Sequence, residues 1–401
     1  MTLANGRTQL SIPGPSVMPD AVLRAMHRAA PNIYEGELIE MMPQITAGLK
    51  AVARTAHNVA IYIGNGHAAW EAALANTIAP GERVLVPATG RFAHGWGEMA
   101  RGIGAEVDIL EFGIKQPMDA SQIEAALRAD TERKIKAVLA VHVDTSTSVL
   151  SDIASVRAAL DAAGHPALLM ADCIASLGCD RFEMDAWGVD VMVTGCQKGL
   201  MVPPGMAFVY FGPKAAEARA RMERVSWYWD WVPRAGAEQF FQYFGGTAPT
   251  HHLYGLDVAL KMIADEGLEQ VWARHKVLAS AIWAACEAWG AGGPLELNVP
   301  VRAHRSCAVT ALRIGAPHGT ALRRWTEHDA GLTLGVGLGM SEYGDPKGDG
   351  FFRIGHMGHV NAQMVMGLLG SMQAGFDALD LPYGGGALDA AARVIAAGAR
   401  A

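Results

Sequence analysis

The feature that most constrains this chain is a recurrence of short apolar runs between residues 59 and 211. They are VAIYIG (59–64), RVLVP (83–87), EVDILEF (106–112), KAVLAVHV (136–143), ALLMAD (167–172), DVMVTG (190–195) and AFVYF (207–211). Apolar runs of this length, bounded by Gly, Pro or Asp, predict strands buried on both faces. Between them, 119–130 and 152–164 have helical spacing; the first opens on an Asp cap and the second closes on Gly164. Strand and helix in alternation predict an α/β fold with a largely parallel, doubly wound sheet. With 401 residues, 51% of them apolar, the chain can bury a large core and has room for a second, smaller domain.

The texture changes near Trp227, where the aromatic cluster WYWDW (227–231) precedes Gly245-Gly246-Thr247 and one long helical stretch from about 252 to 289. Beyond it, strand-like runs such as CAVTALRI (307–314) mix with helical ones. The expected division is an N-terminal arm (1–20), a large cofactor-binding domain (21–265), a small domain that includes the connecting helix (266–385), and a tail (386–401). That tail is rich in Gly and Ala and predicts a loop plus a marginal helix.

Charge excludes several classes of function. The 33 Lys+Arg and 40 Asp+Glu leave a formal charge of −7, without a basic patch for nucleic acid or a membrane surface. Charged residues are sparse and apolar ones plentiful, which disfavours disorder. The five cysteines are scattered and form no CxxC pair, so neither a disulfide framework nor a metal site is expected. The N-terminal stretch has no basic start followed by an apolar run, and the uncharged stretch 354–376 carries two His, Asn, Ser and two Gln. A packed helix and a cytoplasmic location are the expectation.

In an open parallel sheet, ligands bind outside the carboxyl ends of the strands. The first run ends in Gly64-Asn65-Gly66-His67 and passes straight into a helix, which lacks the GxGxxG and GK[ST] patterns but offers free N–H groups to a phosphate. The second leads to Arg91 and Phe92, the fourth to His142, Asp144, Thr145, Ser146 and Thr147, the fifth ends on Asp172, and the sixth leads to Gln197 and Lys198. A carboxylate closing a hydrophobic strand costs several kcal/mol unless a cation meets it. Lysine, acid and phosphate cradle on one edge suit pyridoxal phosphate: the lysine for covalent attachment, the acid for the ring nitrogen, the helix start for the phosphate.

Several segments then resemble the class V aminotransferases of the alanine–glyoxylate and serine–glyoxylate type: IPGPSVMP, GNGHAAWEAAL, HVDTSTSV, LLMADCIASLG, MDAWGVDVMVTGCQKGLMVPPG and FFRIGHMG. The resemblance runs from about 12 to 379. It implies the pyridoxal-phosphate transferase fold of type I, with a mostly parallel seven-stranded sheet in the large domain and a smaller C-terminal α+β domain. It implies a homodimer with sites at the subunit interface and a ping-pong transfer from alanine, serine or aspartate to glyoxylate or pyruvate. By the same resemblance, Lys198 is the Schiff-base lysine and proton carrier, Asp172 the partner of the ring nitrogen, and Phe92 the stacking aromatic. Asn65, Gly66, His67 and Gln197 fall at the phosphate, Thr145 near the ring hydroxyl, and Arg353 at the substrate α-carboxylate.

The chain departs from the family at three places, one of them NIYEGELIEM (32–41) where many relatives carry an HRSPEF-like segment at the mouth of the site. The HxE[ST][ST]TG pattern has Asp144 for Glu and Ser148 for Gly. The tyrosine expected three residues before Thr247 is Phe244, with Tyr243 one residue earlier, so Tyr243 and Thr247 are the candidates for reaching the partner's phosphate. Arg91, Arg234 and the WYWDW cluster are candidates for reading the donor side chain. His142, His251, His252 and His356 are expected to be structural. Two alternatives compete: a lyase of the same fold, which as a desulfurase needs a mobile cysteine where Cys307 lies in a strand-like run, and a non-catalytic regulator, for which no basic helix is present.

Overall fold

The computed structural model describes residues 2–400. Its strands are β1 (Gln9–Ser11), β2 (Asn58–Gly64), β3 (Arg83–Ala88), β4 (Glu106–Glu111), β5 (Ile135–Val141), β6 (Val143–Asp144), β7 (Val149–Leu150), β8 (Leu168–Asp172), β9 (Val191–Gly195), β10 (Gly205–Phe211), β11 (Glu296–Leu297), β12 (Val309–Arg313), β13 (Leu332–Val336) and β14 (Phe351–Gly355). Seven of them form one sheet in the order β2-β10-β9-β8-β5-β3-β4. Only β10 runs against its neighbours, so the carboxyl ends of the other six open on the same edge. Every predicted run is a strand of this sheet.

Side chains along these strands alternate between two cores, one on each face. In β2, Val59 and Ile61 join one core while Ala60 and Tyr62 join the other; Leu169 and Ala171 of β8 oppose Leu168 and Met170 in the same way. Helices cover both faces, which is why the runs are continuously apolar. β4 departs from the expectation of two buried faces. It is an edge strand, and its residues are exposed or only partly covered.

β6 pairs with β7 alone, and a second sheet, ordered β1-β13-β14-β12-β11, takes five more strands. Its first strand comes from the N-terminal arm and pairs in parallel with β13. The single helix expected over 252–289 is two, Thr250–Glu266 and Leu268–Gly290. Gly267 divides them: at φ +84° it takes a conformation that costs a residue with a Cβ 1–2 kcal/mol or so. The terminal helix Ala387–Gly398 is not marginal, since Ala387 and Ala391 are buried in the core of the second sheet. Among the described residues no helix is long and apolar enough to cross a membrane.

Candidate active site

β8 delivers Asp172 to the edge of the large sheet with its carboxylate buried. One oxygen accepts from the Ile174 N–H at 2.7 Å and the other from Trp70 Nε1 at 3.0 Å. Two donors do not replace the water lost, and burial raises the carboxyl to about 7. Trp70 was not singled out from the sequence. It lies four residues after Gly66 on the helix Gly66–Thr77, one turn from the helix start and on the same face, and that spacing was the available signal. Its ring also stacks on Trp96, at 5.9 Å and 13°, and meets Phe92 edge-on at 6.2 Å.

Phe92 lies in the first turn of the helix Arg91–Gly102, whose start is held by the segment after β5. Asp144 accepts from the Phe92 and Ala93 N–H groups at 3.0 and 3.3 Å, and Ser146 Oγ accepts from the Arg91 N–H at 3.1 Å. Asp144 in turn receives the Ser146 N–H at 3.0 Å and its hydroxyl at 2.5 Å. The Asp that departs from the family pattern is thus a cap reached through space, and it fixes the aromatic. Gly90 admits it, because a Cβ there would come within 2.6 to 2.8 Å of the Asp144 carboxyl group.

Lys198 follows β9, next to β8 in the sheet. Burial, and secondarily the charge of Arg353, lower its ammonium to about 8, while Asp172 opposes the shift. Its Nζ donates to the carbonyl of Pro13. The arm segment around Pro13 is thereby a wall of the site, a role the sequence did not disclose. Ser16 fastens that wall, its N–H donating to the Gln197 carbonyl at 2.9 Å and its hydroxyl to the Lys198 carbonyl at 2.7 Å. Gly14, at φ +107°, lies so close that a Cβ would overlap the Lys198 side chain.

Arg353 on β14 is buried, and its fork is already oriented: Nε donates to the Val336 carbonyl at 2.7 Å and one Nη to the Thr145 carbonyl at 2.8 Å. Burial lowers the guanidinium to about 10, against the favourable charge of Asp144. Thr145 is buried beside it. At the β2 end, Asn65 turns back to cap its own helix, accepting from the His67 N–H at 3.1 Å and the Ala68 N–H at 3.4 Å. The His67 N–H is therefore already occupied, which corrects the expectation of a free donor; Gly66 is the first helical position, whose N–H has no intrahelical partner.

Tyr243 and Thr247 are not gathered into this cluster. Tyr243 is half-buried beside Phe244, Thr247 is exposed, and no hydrogen bond ties either to Lys198, Asp172 or Arg353 among the described residues. Arg234 is a correction. It is 1% exposed, and its guanidinium donates to the carbonyls of Ile61, Tyr243 and Tyr228 at 2.7, 3.2 and 2.6 Å, between the rings of Tyr62 and Tyr228. It is a strut with no reach to a substrate. WYWDW is likewise structural at Trp231, which stacks on Phe211 at 4.3 Å; the Asn76 amide donates to the Trp229 carbonyl near the far end of the Gly66 helix. The four histidines have ring partners: Ser176 Oγ for His142, Thr310 Oγ1 and the Cys307 carbonyl for His356, and backbone carbonyls for His251 and His252.

Comparison with known proteins places this geometry. The family model for class-V aminotransferases matches residues 20–322. The chain belongs to that family. It is 36% identical over 373 residues to a serine–glyoxylate aminotransferase of Methylorubrum extorquens, covering 91% of this chain and 90% of the relative. It is 36% identical over 377 residues to an L-aspartate–glyoxylate aminotransferase of Paracoccus denitrificans, covering 92% and 91%. Among solved structures, pyridoxamine–pyruvate aminotransferase from Mesorhizobium loti superposes with a TM-score of 0.87 at 25% identity, covering 99% of this chain and 100% of that one. Ureidoglycine–glyoxylate aminotransferase from Bacillus subtilis gives 0.84 at 26%, covering 98% and 99%. The fold is that of the pyridoxal-phosphate transferases, α/β with a second sheet, and the chain is an aminotransferase.

Proposed function

We propose that this aminotransferase uses pyridoxal phosphate, held between Lys198 and Asp172, to move the amino group of a small amino acid to glyoxylate or pyruvate. The observation that carries the reading is a buried carboxylate and a lysine delivered by the ends of adjacent strands, burial raising the carboxyl to about 7 and lowering the ammonium to about 8. The donor set fits the group. Gln197 Oε1 and Thr89 Oγ1 are buried without a hydrogen-bond partner among the described residues, as in a site completed by a polar ligand.

Asp172 would hold the ring nitrogen, Phe92 one face of the ring, Thr145 its hydroxyl side, and Gly66 with Gln197 the phosphate. Bound there, pyridoxal phosphate supplies a carbonyl that carries the amino group between half-reactions and an electron sink that acidifies the substrate Cα. Lys198 Nζ is the proton carrier at that carbon. A lysine near 10.5 is neutral in roughly 1 in 3,000 molecules at pH 7, and one near 8 in about 1 in 10, so the shift makes the base available. Arg353 clamps the α-carboxylate with its fork already oriented by Val336 and Thr145. The arm at Pro13 and Gly14 covers Lys198 and limits water at its amino group.

Tyr243 and Thr247 would serve the partner's phosphate across a homodimer interface, since they lie outside their own chain's cluster. We place the protein in the cytoplasm and divide it at 20, 265 and 385. A desulfurase-type lyase is disfavoured by Cys307, which is buried and whose thiol burial pushes up rather than down. Titrating the cofactor-loaded protein with alanine, serine and aspartate tests the proposal. One donor removes the visible cofactor band and glyoxylate or pyruvate restores it; a band that no donor alters overturns the reading.

A further inference from the structure

Arg91 breaks a local rule with no structural gain in return. It is the first residue of its helix, where the macrodipole disfavours a cation. The free N–H groups of that helix start are already taken by Asp144 and Ser146, so the side chain is not needed as a cap. Its guanidinium is exposed and enters no ion pair or hydrogen bond among the described residues. Such a conflict between local preference and sequence is expected where function claims the residue.

Its surroundings say which function. Arg91 lines a cleft of about 810 Å3 together with His67, Phe92, Gly339, Lys347 and Phe351. Gly339, at φ +71°, lies against the arginine stem: a Cβ there would come within 2.7 to 3.3 Å of the Arg91 Cβ, Cγ and Cδ atoms. Gly339 stands three residues beyond Val336, whose carbonyl orients Arg353. That separation spans at most about 10 Å of chain, which sets the cleft beside the Arg353 site, although Arg353 does not itself line it. The acidic residues there, Glu98, Glu111, Glu342 and Asp345, form no ion pair with Arg91 among the described residues: Glu111 lies 3.4 Å from His94, Asp345 caps the Lys347 N–H, and Glu98 stands two helical turns away.

We infer that Arg91 reads the far end of the amino donor, and that the preferred donor carries a distal carboxylate, as a four-carbon dicarboxylic amino acid does. The inference rests on the proposed role of Arg353 at the α-carboxylate. Calorimetry with two unreactive acids on the cofactor-loaded protein separates the two claims: propionate requires Arg353 alone, while succinate carries a second carboxylate for Arg91. Arg91→Gln weakens succinate about 10-fold or more and leaves propionate within about twofold, with Arg91→Lys in between. The same variant lowers kcat/KM for aspartate and not for alanine, and leaves cofactor affinity unchanged. Equal losses for both acids, no loss for succinate, or a loss of cofactor affinity alone overturns the inference. Failure of wild-type protein to bind propionate overturns instead the assignment of Arg353.

Discussion

Asp172→Asn separates what this carboxylate costs the fold from what it does for the cofactor. In the folded chain, burial raises the carboxyl from 3.8 to about 7, while the unfolded chain keeps the ordinary value. The folded state holds the proton more tightly, so stability is greatest below about pH 4 and is lost as pH rises towards 7. At 1.36 kcal/mol per unit, the whole loss is roughly 4 kcal/mol, of which about 2–3 falls between pH 5 and pH 8. Asparagine cannot ionise and escapes that loss, but its amide can accept only one of the Ile174 and Trp70 donors. The other is left facing an NH2 group, at about 1–3 kcal/mol. In cofactor-free protein the variant therefore gains about 2–3 kcal/mol on wild type between pH 5 and pH 8, and at pH 8 it becomes the more stable protein. Urea unfolding at the two pH values measures this directly; a chain of 401 residues shifts its midpoint by only about 1 °C per kcal/mol. A stability gap that does not change with pH refutes the reasoning. Cofactor affinity moves the opposite way, because the variant has no charge to offer the ring nitrogen.

Trp70→Phe keeps the packing on Trp96 and removes the indole donor from Asp172, so cofactor affinity falls by about 5- to 10-fold in a fluorescence titration. An unchanged affinity means the indole does nothing for the carboxylate. Asp144→Ala frees the start of the Phe92 helix and costs about 2 kcal/mol in urea unfolding, with a further loss of cofactor affinity as the ring loosens. If stability falls and affinity holds, Asp144 is a cap alone. Lys198→Arg keeps the charge and removes the base: the donor half-reaction slows by about 100- to 10,000-fold in stopped flow, and propionate still binds. In wild type, the same half-reaction rises with pH along a limb near 8, as a base lowered to that value requires.

The large sheet was legible because burial on both faces leaves uninterrupted apolar runs, and the order of their ends placed Asp172 and Lys198 together. β4 was misjudged for the same reason in reverse, since an edge position does not show in a seven-residue run. The breaks came where one glycine outweighed a helical pattern, at Gly267, and where Ala-rich spacing hid a packed face, at Ala387 and Ala391. In the site, Asp172 and Lys198, proposed to hold the cofactor, could be named from their strand ends, while Arg353 came only from the family resemblance. The contacts that hold them could not. Trp70, Asp144 and the Pro13 carbonyl act on partners 102, 52 and 185 residues away, through contacts that no local spacing announces. Arg234 shows the converse, since a cation beside aromatic residues suggests a binding site until three carbonyls are found to occupy its fork.

Lys198 is proposed as the one amine of this chain that takes up pyridoxal phosphate. Borohydride reduction of the loaded protein, followed by peptide mass mapping, tests it most directly. One pyridoxyl group per chain is expected, on the peptide carrying Lys198, and none in Lys198→Arg or after prior conversion by an amino donor. A label on another lysine, or none on wild type at saturating cofactor, contradicts it.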